Sequence, residues 1–255
     1  MSTKEIFIKN SRWQNLKTWI KNGADSDIAI VLCHWFSWNS DFLIKDLAEY
    51  FGDKYMACRF DFSWQWQSGW DFVDSSIDDE LDDLGSVVDY LRKNYEIKKL
   101  ILLWHSFWVA ITTIYWWDND IDWFISLSWE WNLWNAISLE FNEDQLNDFR
   151  EKWTALYENW SKGWEMDTLW VQFLNGMMKY SDNSHVSNIK CPWLFIHWTN
   201  DVVIPFGQTL EAFELYNWKK ELFLMDWGDH SYWFYFWNNR SWEIIDIIEN
   251  WIYKV

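Results

Sequence analysis

The 255-residue chain predicts an α/β fold in which a mostly parallel central sheet carries helices on both faces. Three observations lead there. Continuous apolar runs of strand length, such as Ile28 to Cys33, read as strands buried on both sides. Segments with apolar residues at steps of three and four alternate with them, as in Ile77, Leu81, Leu84, Val88 and Leu91. Between Leu100 and Ala110, one apolar run stops at His105-Ser106 and another starts at once. That is the layout of a strand, a tight turn and a helix, with a lone hydroxyl at the turn.

Taken in order, Glu5 to Lys9 and Leu16 to Ile20 predict two short strands around a turn at Asn10 to Trp13. Ile28 to Cys33 follows as a strand, then a helix from about Asp41 to Phe51, and a strand at Tyr55 to Phe60. The stripe beginning at Ile77 predicts a helix with Asp78, Asp79, Glu80, Asp82 and Asp83 on its solvated side; acidic first turns also suit the helix dipole. After the strand and helix around Ser106, Ile121 to Leu127 is a further strand. From about 129 to 188 helical spacing takes over, for instance Leu146, Phe149, Trp153 and Leu156, which predicts a small helical cap inserted into a single domain of residues 1–255. Leu194 to His197 and Glu221 to Met225 resume the sheet, Phe206 to Tyr216 is helical, and Ser241 to Tyr253 closes the chain as a helix.

Composition narrows the function. With 21 basic and 39 acidic residues the net charge is −18, which argues against nucleic acid and anionic membrane surfaces as partners. The uncharged window Leu100 to Trp117 is long enough for a membrane span, but its central His-Ser and strand-turn-helix pattern argue against one. Lys4, Glu5 and Lys9 interrupt any leader-like opening, and the odd number of cysteines, Cys33, Cys58 and Cys191, lie in or beside buried strands. Both features predict a cytoplasmic protein with reduced thiols. No His-Glu-x-x-His or paired Cys-x-x-Cys is present, so neither metal nor cofactor is expected. No oligomeric state follows from the pattern.

Five stretches, in order, resemble the α/β-hydrolase superfamily. His34-Trp35-Phe36 resembles an H-G-x oxyanion loop. Asp61 to Ser68 is similar to the D-x-x-G-x-G-x-S of the serine aminopeptidase, monoacylglycerol lipase and cinnamoyl esterase branch. Trp104-His105-Ser106-Phe107-Trp108 resembles the G-x-S-x-G nucleophile elbow, His197 to Asp201 resembles H-G-x-x-D, and Gly228-Asp229-His230 resembles the loop carrying the catalytic histidine. The resemblance implies a serine hydrolase acting through an acyl-enzyme on a small or medium carboxylic ester, with a serine aminopeptidase or amidase acting on a short peptide as the second reading. It implies Ser106 as nucleophile, His230 as base and Asp201 as the acid that fixes the imidazole, with backbone N–H groups of Phe36 and Phe107 holding the oxyanion. His34, His105 and His197 read as structural or loop residues, and Asp61 as a brace of its loop.

The resemblance fails in one consistent way. Family glycines are tryptophan here, at Trp35, Trp64, Trp66, Trp104, Trp108 and Trp198, while Trp13 and Trp38 occupy turn-like places that suit glycine. The chain holds 27 Trp and 8 Gly, against roughly 18 glycines expected at ordinary usage. A gene that uses UGA for glycine, read with UGA as tryptophan, gives this exchange. If every tryptophan is real, the expectation becomes a non-catalytic hydrolase-like binding module.

Overall fold

A computed structural model describes residues 2–34, 36–41, 43–65, 68–69, 71–106, 109–118, 120–129, 132–159, 163, 165–182, 184–226, 228, 230, 232 and 241–255. In chain order its strands are β1 (Lys4–Lys9), β2 (Asn15–Asn22), β3 (Ile28–Cys33), β4 (Met56–Phe60), β5 (Lys99–His105), β6 (Trp123–Leu127), β7 (Thr154–Asn159), β8 (Glu165–Trp170), β9 (Trp193–Trp198) and β10 (Lys220–Met225). Eight of them form one sheet in the order β1-β2-β4-β3-β5-β6-β9-β10. The first two pairings are antiparallel and every pairing from β4 to β10 is parallel.

Strand alternation sorts side chains onto two faces. Ala29, Val31 and Cys33 share one core with Leu100, Leu102 and Trp104, beneath α2 (Ile77–Asn94) and α3 (Val109–Asp118). Ile30, Leu32, Ile101 and Leu103 face the other way, against α1 (Leu43–Phe51) and the closing helix α8 (Ser241–Lys254). With both faces covered, the central strands need apolar residues at every position, which is why they read as unbroken runs. Between α3 and α8 the chain adds α4 (Leu133–Glu140), α5 (Glu143–Lys152), α6 (Val171–Lys179) and α7 (Gly207–Leu215).

Two expectations need correction. The cap is not wholly helical: β7 and β8 pair as an antiparallel hairpin between α5 and α6. Helix α5 stops at Lys152 because Trp153 takes a left-handed conformation (φ 66°), and Leu156 then lies on β7. The acidic side of α2 is also only partly solvated. Glu80 and Asp83 are fully buried. Asp83 accepts hydrogen bonds from Asn10 Nδ2 (2.7 Å), Arg12 Nη2 (3.1 Å) and the Ser63 N–H (2.8 Å), so the β1–β2 turn covers this part of the helix.

Among the described residues no helix is long and apolar enough to cross a membrane, and no group of three or more His, Cys, Asp or Glu is arranged to hold a metal ion. Cys33, Cys58 and Cys191 are buried free thiols.

Candidate active site

The parallel strands deliver the polar residues of the site to one edge of the sheet. Ser106 follows β5, Asp201 lies just past β9, and His230 lies beyond β10. In open α/β sheets this carboxyl edge is where ligands bind. Ser106 adopts φ +67°, the left-handed region that an L-residue occupies at a cost, as expected of a sharp elbow between strand and helix. It is almost wholly buried.

The three residues converge although they are far apart in the sequence. Ser106 Oγ lies 2.7 Å from His230 Nε2, and His230 Nδ1 lies 2.8 Å from Asp201 Oδ2. An ionised carboxylate only accepts, so Nδ1 carries the proton and donates to Asp201. Nε2 is then left to accept from the Ser106 hydroxyl. The other Asp201 oxygen accepts the N–H groups of Val203 and Ile204, both at 2.9 Å, which fixes the carboxylate plane. Burial acts to raise the Asp201 carboxyl, but hydrogen bonds from His197 and His230 and the His230 charge outweigh it and hold the group well below the usual carboxylate range.

The loop after β3 reaches the same edge. Cys33 is in register with Trp104, so His34 and Ser106 leave the sheet on adjacent strands. The Phe36 ring packs among Trp64 (5.3 Å), Phe72 (5.5 Å), Tyr157 (5.1 Å) and Phe173 (4.4 Å), which anchors this residue in the aromatic core. Phe107 lies outside the described residues, as do Trp35, Trp66, Trp108 and Asp229. Asp61 is buried and accepts the Ser40 N–H at 2.8 Å, tying the loop after β4 to the loop after β3.

The described tryptophans at glycine-like positions are accommodated in different ways. Trp64, Trp104 and Trp198 are buried in the core. The Trp198 ring passes so close to Gly228 that a Cβ there would fall 2.4 Å from the indole. Trp13 has φ +65° with 79% of its surface exposed, whereas Trp38 is buried and is not left-handed. The 2.7 Å contact between Ser106 and His230 survives the indole at Trp104.

The cap contributes groups that sequence reasoning missed. A cavity of about 420 Å³ is lined by Glu140, Gln145, Tyr157 and Ile204 among others. The Tyr157 hydroxyl donates to Glu140 Oε2 at 2.5 Å. Burial holds the Glu140 carboxyl above its ordinary value, against the opposing hydrogen bond from Tyr157. Glu140 ends a short helix and Tyr157 sits on a hairpin strand, and no local pattern distinguishes them from surface residues.

No protein-family model matches the chain, and no curated protein matches it by sequence. Solved structures do. Est1E from Butyrivibrio proteoclasticus superposes with a TM-score of 0.75 at 15% identity, over 96% of this chain and 98% of that one. Its complex with ferulic acid gives 0.76 at 15% identity, over 95% and 99%. An esterase of Pyrococcus furiosus gives 0.71 at 16% identity over 98% and 91%. Alpha/beta hydrolase domain-containing protein 10 from mouse gives 0.73 at 15% identity over 98% and 99%. The chain has the α/β-hydrolase fold.

Proposed function

We propose that the protein is a serine hydrolase that cleaves carboxylic esters through an acyl-enzyme, with Ser106 as nucleophile, His230 as general base and Asp201 as its orienting acid. The observation that carries this reading is the continuous hydrogen-bonded chain from Ser106 Oγ through His230 to Asp201, at 2.7 and 2.8 Å. In the forward step Ser106 Oγ attacks the ester carbonyl while His230 Nε2 takes the hydroxyl proton. The same proton then goes to the departing alkoxide, and water repeats the sequence to free the acid. The oxyanion would be held by the backbone N–H groups of Phe36 and Phe107. Labelling by a fluorophosphonate probe tests the nucleophile: Ser106→Ala should abolish it, and labelling that survives would reject the assignment. Asp201→Asn should lower kcat by a factor on the order of 10⁴, because the amide favours the wrong imidazole tautomer.

For the substrate, we infer an ester of a hydroxylated aromatic acid. The cap cavity beside the Asp201 loop is polar at Glu140 and Tyr157, so a hydroxyl at the distal end of an aromatic acyl group would find a carboxylate acceptor there. The likeness to Est1E, whose structure is known with ferulic acid bound, supports the same acyl class. Glu140 would equally receive a free α-amine, which keeps an aminopeptidase as the second reading. A panel of methyl hydroxycinnamates, p-nitrophenyl butyrate and aminoacyl anilides separates them.

We further infer that glycine is the working residue at the family's glycine positions, so that the site is an active hydrolase rather than a non-catalytic module. Of those positions Trp64, Trp104 and Trp198 are described, and none is left-handed. The support comes from the crowding of Gly228 by the Trp198 indole and, elsewhere in the chain, from two left-handed and largely exposed tryptophans, Trp13 (φ 65°) and Trp153 (φ 66°). A bulky side chain is a backbone outlier there, whereas glycine is at home.

A further inference from the structure

Three of the chain's five histidines, His34, His105 and His197, stand at the carboxyl ends of sheet strands and are fully buried. Each commits a ring nitrogen to the backbone of a neighbouring loop. His34 Nε2 accepts the Phe62 N–H at 3.4 Å, His197 Nε2 donates to the Ile204 carbonyl at 2.9 Å, and His105 Nε2 donates to the His230 carbonyl at 2.8 Å.

The last of these reaches the proposed base itself. We propose that His105 is the positioning residue for His230, an inference that rests on reading Ser106, His230 and Asp201 as the catalytic set. The His230 imidazole is held at both nitrogens by side chains, Ser106 Oγ and Asp201 Oδ2. Two side-chain contacts fix the ring only if the backbone that bears it stays in place. His230 lies in a turn rather than in a helix or strand.

His105 supplies an anchor for that backbone, and it does so from the residue next to the nucleophile in the chain. One strand end therefore sets both the position of the attacking oxygen and the height of the base above it. A carbonyl oxygen accepts only, so His105 must carry its proton on Nε2. Burial and the nearby His230 push the His105 imidazole well below its ordinary value, so the ring stays neutral and this tautomer persists. The rings of His105 and Tyr232 pack edge to face at 5.1 Å, and Ser128 Oγ hydrogen-bonds the Tyr232 hydroxyl at 3.2 Å. The loop is thus pinned at His230 by the end of β5 and at Tyr232 from just past the end of β6.

The test uses the full chain, carried in parallel in its tryptophan-bearing and glycine-bearing forms. Steady-state turnover of p-nitrophenyl butyrate and the fluorophosphonate labelling rate are measured for His105→Leu, His105→Asn and His105→Gln. Glutamine can place an amide N–H near the position of Nε2, whereas asparagine stops about one bond short and leucine has no donor. The expected result is a 10- to 100-fold fall in kcat and labelling rate for leucine and asparagine, with KM within twofold. Glutamine should recover activity to within about fivefold of the parent. If His105→Leu does not fold, the asparagine–glutamine pair decides alone. Leucine or asparagine within threefold of the parent would overturn the proposal, as would glutamine no better than asparagine. A parent chain that is never labelled, or labelling that survives Ser106→Ala, overturns the catalytic reading instead, and the two failures are told apart by that control.

Discussion

Replacing an exposed tryptophan by glycine ordinarily weakens a protein, yet at Trp13 and Trp153 the structure predicts the reverse. Trp153 caps α5 in the left-handed region, the position where helices most often place glycine. Holding an L-residue there costs roughly 1–2 kcal/mol. The indoles of Trp13 and Trp153 are 79% and 65% exposed, so little packing is lost on removal. The hydrogen bonds these residues make involve main-chain atoms: the Trp13 N–H donates to Asn10, Lys9 Nζ donates to the Trp13 carbonyl, and Val171 donates to the Trp153 carbonyl. None needs a side chain. Against the relief stands glycine's extra freedom in the unfolded chain, of order 0.5–1 kcal/mol. The net expectation is a gain of about 0.5–1 kcal/mol per site, and a Tm rise of about 2–4 °C per kcal/mol in a domain of this size. Trp251 is the control. It is buried on α8, so Trp251→Gly should cost about 3–5 kcal/mol for the lost aromatic and about 1 kcal/mol more for glycine inside a helix. Urea unfolding of the three single variants measures all of this. A loss of more than 1 kcal/mol at both Trp13 and Trp153 would refute the reasoning that glycine belongs there.

The remaining predictions concern decoding, specificity and pH. Codons for Trp35, Trp64, Trp66, Trp104, Trp108 and Trp198 should be UGA and that for Trp251 UGG; UGG at Trp104 and Trp108 would end the recoding reading and leave the non-catalytic module. Glu140→Gln and Tyr157→Phe should each raise KM for a methyl hydroxycinnamate about tenfold, the equivalent of 1.4 kcal/mol, and leave p-nitrophenyl butyrate within twofold. Equal losses on both substrates would show that the pair shapes the cap rather than reads the acyl group. Asp61 and Asp83 are pushed up to about 6, chiefly by burial, so the folded state binds protons more tightly than the unfolded chain between about 4 and 6. Their contribution therefore adds stability as pH falls through that window. Asp201 acts oppositely: its depressed carboxyl stabilises fully above about 4 and the contribution is lost as pH falls below it. The urea midpoint should be higher at pH 5 than at pH 7.5 and then drop below about pH 4; a midpoint that falls steadily from pH 7.5 to 5 would contradict the burial of Asp61 and Asp83.

What could be read from the sequence, and what could not, follows from how far each interaction reaches along the chain. Strands such as β3 and β5 were legible because burial on both faces demands apolar residues without a break, a local signal. Ser106 was legible for the same reason, since its turn lies between two such runs. Asp201 and His230 carry no local signature and entered only through the order of family-like motifs. The hairpin of the cap was missed because Leu156 continues the helical spacing of Leu146 and Phe149, while the left-handed residue that ends α5 is written as tryptophan, a residue no capping rule anticipates. The pattern alone places Glu80 and Asp83 in solvent, because five acids in one helix face ordinarily point there. The groups that cover Asp83 come from Asn10 and Arg12, more than 70 positions away, and satisfy it by hydrogen bonds that periodicity cannot express. The same holds for His105. Its sequence context says only that it is enclosed, and its partner is a carbonyl 125 residues downstream. Periodicity reports whether a side chain is buried, whereas the choice of partner for a buried polar group is made by the topology that brings β5, β9 and β10 to one edge.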